Sequence, residues 1–463
     1  MVSTEAGRGP GADGRPRAGQ AAEVTEWLRA EGVRAVATTF VDNTGITRVK
    51  AIPVSRLEHV AGMGGVGMSP CFDTYLLDDS MTASRELGGP DGDLRLVPDL
   101  DALTVLGAQP GWAWAPADRY TQDGAPYPAC QRSFARRAVE RARAAGLSFR
   151  MAFEIEWVLG RATEDGTFSP AVAGPAYGMT RLVGLSDYAL DLMDALAAQD
   201  VPVEQFHPEY AAGQCEISVA ATDPLHAADR SVLVRQTIRA VSARHGTRAS
   251  FAPSVVPGTV GNGGHVHFSA CRDGRNVFAG GTGPYGMTDE GARLIAGVLD
   301  ALPALTAVGC PSPASYLRLV PSRWAGPFQA WGRETRETAV RFVTGSAGVQ
   351  DRAANVEVKC VDLAANPYLL AGSLLTAALA GAEGSAPLPA EVTGDPATRA
   401  GDRTPRLPRT LAEAVEHLER SAVLREAMGE VLFGAFAAVR RAEAGKFADR
   451  PPDEIAAATR WVY

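Results

Sequence analysis

Two glutamates stand one residue apart inside an otherwise apolar, strand-like run, MAFEIEWVL (Met151–Leu159), and no other feature constrains the fold as much. Strand side chains alternate faces, so Glu154 and Glu156 leave the same side about 7 Å apart, while Met151, Phe153, Ile155 and Trp157 fill the other. Two carboxylates on one face of a buried strand repel each other and lose hydration unless a cation sits between them. The alternative is an amphipathic edge strand whose acidic face is simply solvated.

Three further segments repeat the alternation. In GGHVHFS, His265, His267 and Ser269 share a face opposite Val266 and Phe268; in GQCEISV, Gln214, Glu216 and Ser218 oppose Cys215, Ile217 and Val219. In NVEVKC, Asn355, Glu357 and Lys359 oppose Val356, Val358 and Cys360, and Glu209 lies just ahead of the Glu216 strand. Five carboxylates with one or two imidazoles form a hard, oxygen-rich donor set suited to Mg²⁺ or Mn²⁺ rather than zinc. If these strands are neighbours, the chain holds a polar funnel able to bind more than one divalent ion.

A net charge of −8 argues against a general nucleic-acid surface. No apolar run of eighteen residues and no apolar signal core near Met1 is present, so a cytoplasmic protein without a membrane partner is expected. The cysteines at 71, 130, 215, 271, 310 and 360 are scattered singly and read as buried thiols, not a disulfide framework. Within SYLRLVPSRWAGPFQAWGRETRETAVRF, Arg318, Arg323, Arg333, Arg336 and Arg341 interleave with Trp324, Phe328 and Trp331. Guanidinium forks suit carboxylate and phosphate oxygens, so beside a metal funnel they point to a nucleoside triphosphate. A solvated basic loop paired with Glu334 and Glu337 is the bland alternative.

The chain reads as α+β. Residues 1–20 are expected to be a disordered tail, 21–119 a small N-terminal unit with a hairpin turning at Asn43–Gly45, and 120–463 a larger unit of alternating helices and strands. Helices are expected over 133–145, 186–199, 229–244, 289–308 and the Ala-rich NPYLLAGSLLTAALAG, with a final pair over 411–421 and 423–444.

Taken in order, these segments resemble the glutamine synthetase family, its type I branch and the related γ-glutamyl–amine ligases. FEIEW resembles the family's paired-glutamate strand, HPEYAAGQCE its HxExGPGQxE motif and GNGGHVHFS its GSGxHxHxS motif. SYLRLVP matches SYxRLVP, WGRETRETAVR resembles WGxxNRxxxIR, and NVEVKCVDLAANPYL resembles RxExRxxDxxANPYL. The likeness runs from about residue 22 to the C-terminus.

The resemblance implies a β-grasp-like N-terminal domain and a catalytic domain built on an antiparallel sheet funnel flanked by helices. It implies ATP, two to three Mg²⁺ or Mn²⁺ ions per site, and a homo-dodecamer of two stacked hexameric rings with sites between subunits. By the same analogy, Glu156, Glu209 and Glu216 hold one metal, and Glu154, His265 and Glu357 a second that bridges to ATP. His267, Ser269, Arg336 and Arg341 face the nucleotide or transferred phosphate, Arg318 and the Gly261 backbone face the amino-acid carboxylate, and Asp42 reaches a neighbouring subunit's amine site. The implied activity joins the side-chain carboxylate of glutamate to an amine through an acyl phosphate, with water kept out.

The chain departs from the family pattern at three positions. Trp324 stands where the family's ammonium-binding glutamate is expected, and Asn355 and Lys359 replace arginines near ATP and the donor carboxylate; Lys keeps the charge but loses the bidentate fork. The family's adenylylation tyrosine motif is also missing. Ammonium needs a base to become a nucleophile, and an indole is none. An acceptor other than ammonia follows: a weakly basic aryl amine or hydrazine, or an alkyl amine or polyamine relying on Asp42. The alternatives are a glutamine synthetase using ammonia, a regulatory homologue without chemistry, and a ligase whose donor is an analogue of glutamate.

Overall fold

The computed structural model describes residues 19–162, 168–399 and 403–463. The tail expected at 1–20 lies outside the described residues up to residue 18, and Gln20 already opens the first helix, Gln20–Ala30. That helix lays Ala21 and Leu28 on Val36, Ile52, Leu57 and Ala113, a core separate from the main one. The expected hairpin forms, Ala35–Val41 pairing antiparallel with Thr47–Pro53. Ala35–Val41 also runs parallel to Trp112–Thr121, which carries Leu94–Pro98 on its far end, giving a mixed sheet.

The hairpin turn is pressed onto the rest of the chain. Gly45 has φ 84°, and a Cβ there would lie 1.9 Å from the Ala364 carbonyl oxygen. Asn366 Nδ2 donates to the carbonyls of Val41 and Asp42 at 3.0 and 3.1 Å, closing the contact from the other side. The first sheet is thereby tied to the segment that follows the Glu357 strand.

Among the described residues, the antiparallel framework of the larger part forms as two sheets. The first orders Val203–Pro208, Gln214–Val219, Ile155–Ala162 and Arg248–Ser250; the second runs from Arg275–Asn276 through Val266–Arg272, Asn355–Val358 and Thr338–Val343 to Phe328–Arg333. Pairing is antiparallel except between the last two strands. MAFEIEWVL was expected to form a single strand, and it breaks at Glu154. Leu147–Phe153 pairs with Val266–Arg272 in the second sheet, whereas Ile155–Ala162 pairs with Gln214–Val219 in the first. Glu154 donates its amide to the His265 carbonyl at 2.9 Å, the last in-register bond of the second sheet's ladder before the chain crosses to the first. The paired glutamates therefore mark the seam between sheets. Their apolar partners are buried as expected, with Met151, Ile155 and Trp157 at 0 % exposure.

Helices back both sheets. Pro367–Glu383 is buried along most of its length and meets Asp289–Gly309 so closely that a Cβ on Gly297 would lie 2.3 Å from the Ala377 carbonyl oxygen. Small residues at this crossing explain the alanine richness of the sequence. The expected final helix over 423–444 is instead two, Ala422–Met428 and Glu430–Phe447, because Gly429 takes φ 78° between them; a further helix covers Pro452–Thr459. All six cysteines are free, but Cys71 and Cys271 are only half-buried.

Candidate active site

Strand register aligns the polar side chains into two rows. In the first sheet His207 pairs with Glu216, and Glu216 with Glu156; in the second Arg341 pairs with Glu357, and Glu357 with His267. Directly opposed residues bring their side chains within about 5 Å, and like charges there are destabilising. Glu154, at the seam, adds to the second row: its carboxylate lies 2.8 Å from His265 Nδ1 and 3.1 Å from His267 Nε2, and His265 Nε2 in turn lies 3.9 Å from Glu156 of the first row. The carboxylates expected from the sequence converge on one cavity of about 450 Å³.

Two compact groups of potential ligand atoms form there, Glu154–His267–Glu357 and His207–Glu209–Glu216. His265 lies beside the first, 3.4 Å from Glu357 and 3.9 Å from Glu156. Glu156 adjoins the second through its register partner Glu216, and Gln214 Nε2 donates to it at 2.8 Å. His207, which the sequence reading did not single out, sits 3.4 Å from Glu209 and 3.3 Å from Glu216. Its signal was present: it precedes Glu209 by two residues on an extended segment, as Glu154 precedes Glu156.

The donor set fits divalent cations. Burial, with Glu216 and Glu209 beside it, pushes Glu156 up to about 8, so protein groups alone leave this cluster short of positive charge. Burial and Lys359 lower His265 to about 4, leaving a neutral imidazole able to act as a ligand. Against the burial penalty, Glu154 and Glu357 hold His267 up at about 9, making it a cation suited to an oxyanion. Glu357 reaches down to about 2 despite its burial, because Lys359, His267 and His265 surround it.

A carboxylate whose pKa rises on folding binds its proton more tightly in the native state, so its contribution to stability is lost as pH rises from the unfolded value toward the folded one. For Glu156 that window runs from 4.5 to about 8. Thermal melts of ion-free protein should show wild type losing stability relative to Glu156→Gln between pH 5 and 8. Added Mn²⁺ should raise the wild-type melting temperature most at the upper end. Parallel pH profiles for the two proteins would contradict the clustering.

Cations close the opposite wall. Buried Arg318 donates to the carbonyls of Cys360 and Lys359 at 3.1 Å each and lies 3.3 Å from His265 Nε2. Lys359 Nζ and Arg341 Nη1 reach Glu357 at 2.9 and 3.0 Å. Arg336 and Arg323 also line the cavity, as does Gly261. Gly263 is forced by close approach, since a Cβ there would meet His265 Nε2 at 2.5 Å and Glu156 Oε1 at 2.7 Å.

Four expected residues stand apart. His267, Ser269 and Asn355 do not line this cavity, although His267 lies 3.1 Å from Glu154 and 2.9 Å from Asn355. Asp42 is fully buried and outside its own chain's cavity; its carboxylate accepts from Arg48 Nε at 2.7 Å, the Thr44 amide at 2.9 Å and the Ile46 amide at 3.0 Å.

An aromatic wall completes the cavity. Trp324 stacks on Tyr210 with centroids 4.4 Å apart and planes 16° from parallel, and both rings remain about two-fifths exposed, at 40 % and 39 %. Tyr210 meets Tyr177 edge-on at 5.4 Å, and Tyr177 stacks on His207 at 5.1 Å while its hydroxyl donates to Glu209. Neither tyrosine was legible in the sequence, because both sit in irregular segments with no periodicity.

The sequence profile for the glutamine synthetase catalytic domain matches residues 128–457, and that for the glutamine synthetase N-terminal domain matches 20–127. The chain is 60 % identical to gamma-glutamylpolyamine synthetase GlnA3 of Streptomyces coelicolor over 443 residues, 94 % of this chain and 95 % of that protein. It is 28 % identical to the glutamine synthetase of Clostridium saccharobutylicum over 431 residues, 91 % of this chain and 94 % of that one. A crystal structure of a novel glutamine synthase homolog superposes with a TM-score of 0.83 at 31 % identity, covering 93 % of this chain and 99 % of that chain. With two domain profiles spanning its described length and carboxylate rows converging where those motifs meet, the chain belongs to the glutamine synthetase family, as an ATP- and metal-dependent carbon–nitrogen ligase of the γ-glutamyl–amine kind.

Proposed function

We propose that this ligase joins the side-chain carboxylate of glutamate to a polyamine. The observation that carries the reading is the Trp324 indole stacked on Tyr210 beside the carboxylate rows. An indole cannot accept the proton that ammonium must lose before it attacks. Paired ring faces can hold a methylene chain and attract a second ammonium, and Glu209 and Glu216 add negative charge nearby. The name of the 60 % identical relative, gamma-glutamylpolyamine synthetase, supports the same substrate class over an aryl amine or hydrazine.

In this reading Glu156, Glu209 and Glu216, with His207, would hold one Mg²⁺ or Mn²⁺ ion, and Glu154, His265 and Glu357 a second. Bound there, the ions supply charge neutralisation to phosphoryl transfer. His267, Arg336 and Arg341 would face the nucleotide phosphates, with Ser269 further out along the same strand. Arg318, the Gly261 backbone and Lys359 would orient glutamate so that its side-chain oxygen attacks the γ-phosphorus and ADP leaves. The amine nitrogen then attacks the acyl carbon of γ-glutamyl phosphate, phosphate departs, and the amine proton passes to a carboxylate. For Asp42 to serve that last role in a neighbouring subunit, its fully buried carboxylate would first have to leave Arg48. A cytoplasmic dodecamer of stacked hexameric rings, with the two domains dividing near residue 119, completes the reading.

An amine panel tests the function. With ATP, glutamate and Mg²⁺, phosphate release should be at least about tenfold faster with putrescine, spermidine or spermine than with ammonia at equal concentration. Release that is fastest with ammonia, or with aniline or hydrazine, would sink the polyamine assignment.

A further inference from the structure

The aromatic wall rests on an unusual stretch of backbone. Ser322 and Trp324 both adopt left-handed conformations, with φ of 57° and 55°, although neither is glycine. Such a turn persists only where its surroundings over-determine it. Here a single side chain does so. Glu337, only 7 % exposed, accepts from the Trp324 amide at 2.7 Å through one carboxylate oxygen and from the Ser322 amide at 3.1 Å through the other. Two weaker ties help: Ser322 Oγ donates to Asp395 at 2.7 Å, and Arg323 Nη1 donates to the Gly258 carbonyl at 2.9 Å. Both lie on exposed side chains, so neither fixes the turn as a buried carboxylate does.

The consequence is directional. With its amide gripped, Trp324 points its indole across the cavity onto Tyr210. Glu337 does not line the cavity, and its hydrogen bonds toward the site run through the Ser322 and Trp324 amides. We propose that Glu337 is a positioning residue for acceptor specificity: by clamping the Ser322 and Trp324 amides it holds the indole where an amine chain binds, and so sets the KM for the amine. This deepens the reading of the cavity as a polyamine site.

Steady-state kinetics on the full chain test it, with putrescine, glutamate and ATP each varied in turn for wild type, Glu337→Ala, Glu337→Gln, Trp324→Ala and the Trp324→Ala/Glu337→Ala double variant. Glu337→Ala should raise the putrescine KM about tenfold, while the KM values for glutamate and ATP stay within about twofold. Glu337→Gln keeps one acceptor oxygen, should retain the wild-type melting temperature closely enough to be assayed, and should give an intermediate rise. In the Trp324→Ala background the Glu337→Ala change should add less than about twofold, because the side chain it positions is gone. Equal rises in all three KM values, or additive effects in the double variant, would show Glu337 to be merely structural and overturn the proposal. Should wild type reject putrescine and other polyamines, the polyamine reading fails separately. The same comparison, run with whichever amine the panel identifies, still decides the role of Glu337.

Discussion

Glu357→Gln should lower glutamate- and amine-dependent phosphate release by about a thousandfold or more, the range seen when a preorganised charge partner is removed from a reacting centre. Glu357 is 1 % exposed and touches more of the site than any neighbouring carboxylate. It receives Lys359 and Arg341 at 2.9 and 3.0 Å and lies 3.4 Å from His265 and 4.0 Å from His267. A glutamine has nearly the same shape, but it carries no charge and offers only one acceptor oxygen. Its amide group would face a cation on whichever side it turned. Lys359, 2 % exposed, would then be a buried ammonium without its counter-ion, a loss of about 3 kcal/mol or more in native stability. The measurement is phosphate release alongside a thermal melt, at a temperature where the variant stays folded. Turnover within tenfold of wild type would mean that the second carboxylate row is not the reacting centre.

Trp324→Glu should invert the acceptor preference. Putrescine kcat/KM is expected to fall about a hundredfold, since the new side chain removes one of two stacked ring faces, while turnover with ammonia should rise from its low baseline. The new carboxylate would stand at the cavity wall beside Tyr210, able to bind ammonium and take up its proton. Because Trp324 is 40 % exposed, the substitution costs little core packing, and the loss can be read as a loss of recognition. An unchanged ratio of putrescine to ammonia turnover would show that the aromatic wall does not select the acceptor.

Much of the site was legible before any tertiary structure. Period-two alternation put Glu216 with Gln214, and Glu357 with Lys359, on polar faces, and strands form there with Cys215, Ile217, Val356 and Val358 buried behind them. The ordered motifs carried the fold class and the ligase chemistry, and the domain profiles and the superposed structure agree with both. Less legible were the places where local pattern and global path diverge. MAFEIEWVL has the alternation of an unbroken strand, yet its halves belong to different sheets, because pairing partners far away in sequence decide where a ladder ends. The helix break at Gly429 shows the same limit on a smaller scale.

The chain's one-dimensional order determined which side chains could share a face, and with them the hard-ligand chemistry of the cavity. That information is local: a two-residue period survives in any context that keeps the strand extended. Only the tertiary structure decided which faces meet. It set Glu156 opposite Glu216 and Glu357 opposite His267, placed Tyr210 under Trp324, and gave Glu337 the two amides that fix that ring. Those contacts join segments from about a dozen to little more than a hundred residues apart, where register and burial, rather than any spacing written in the sequence, choose the partner.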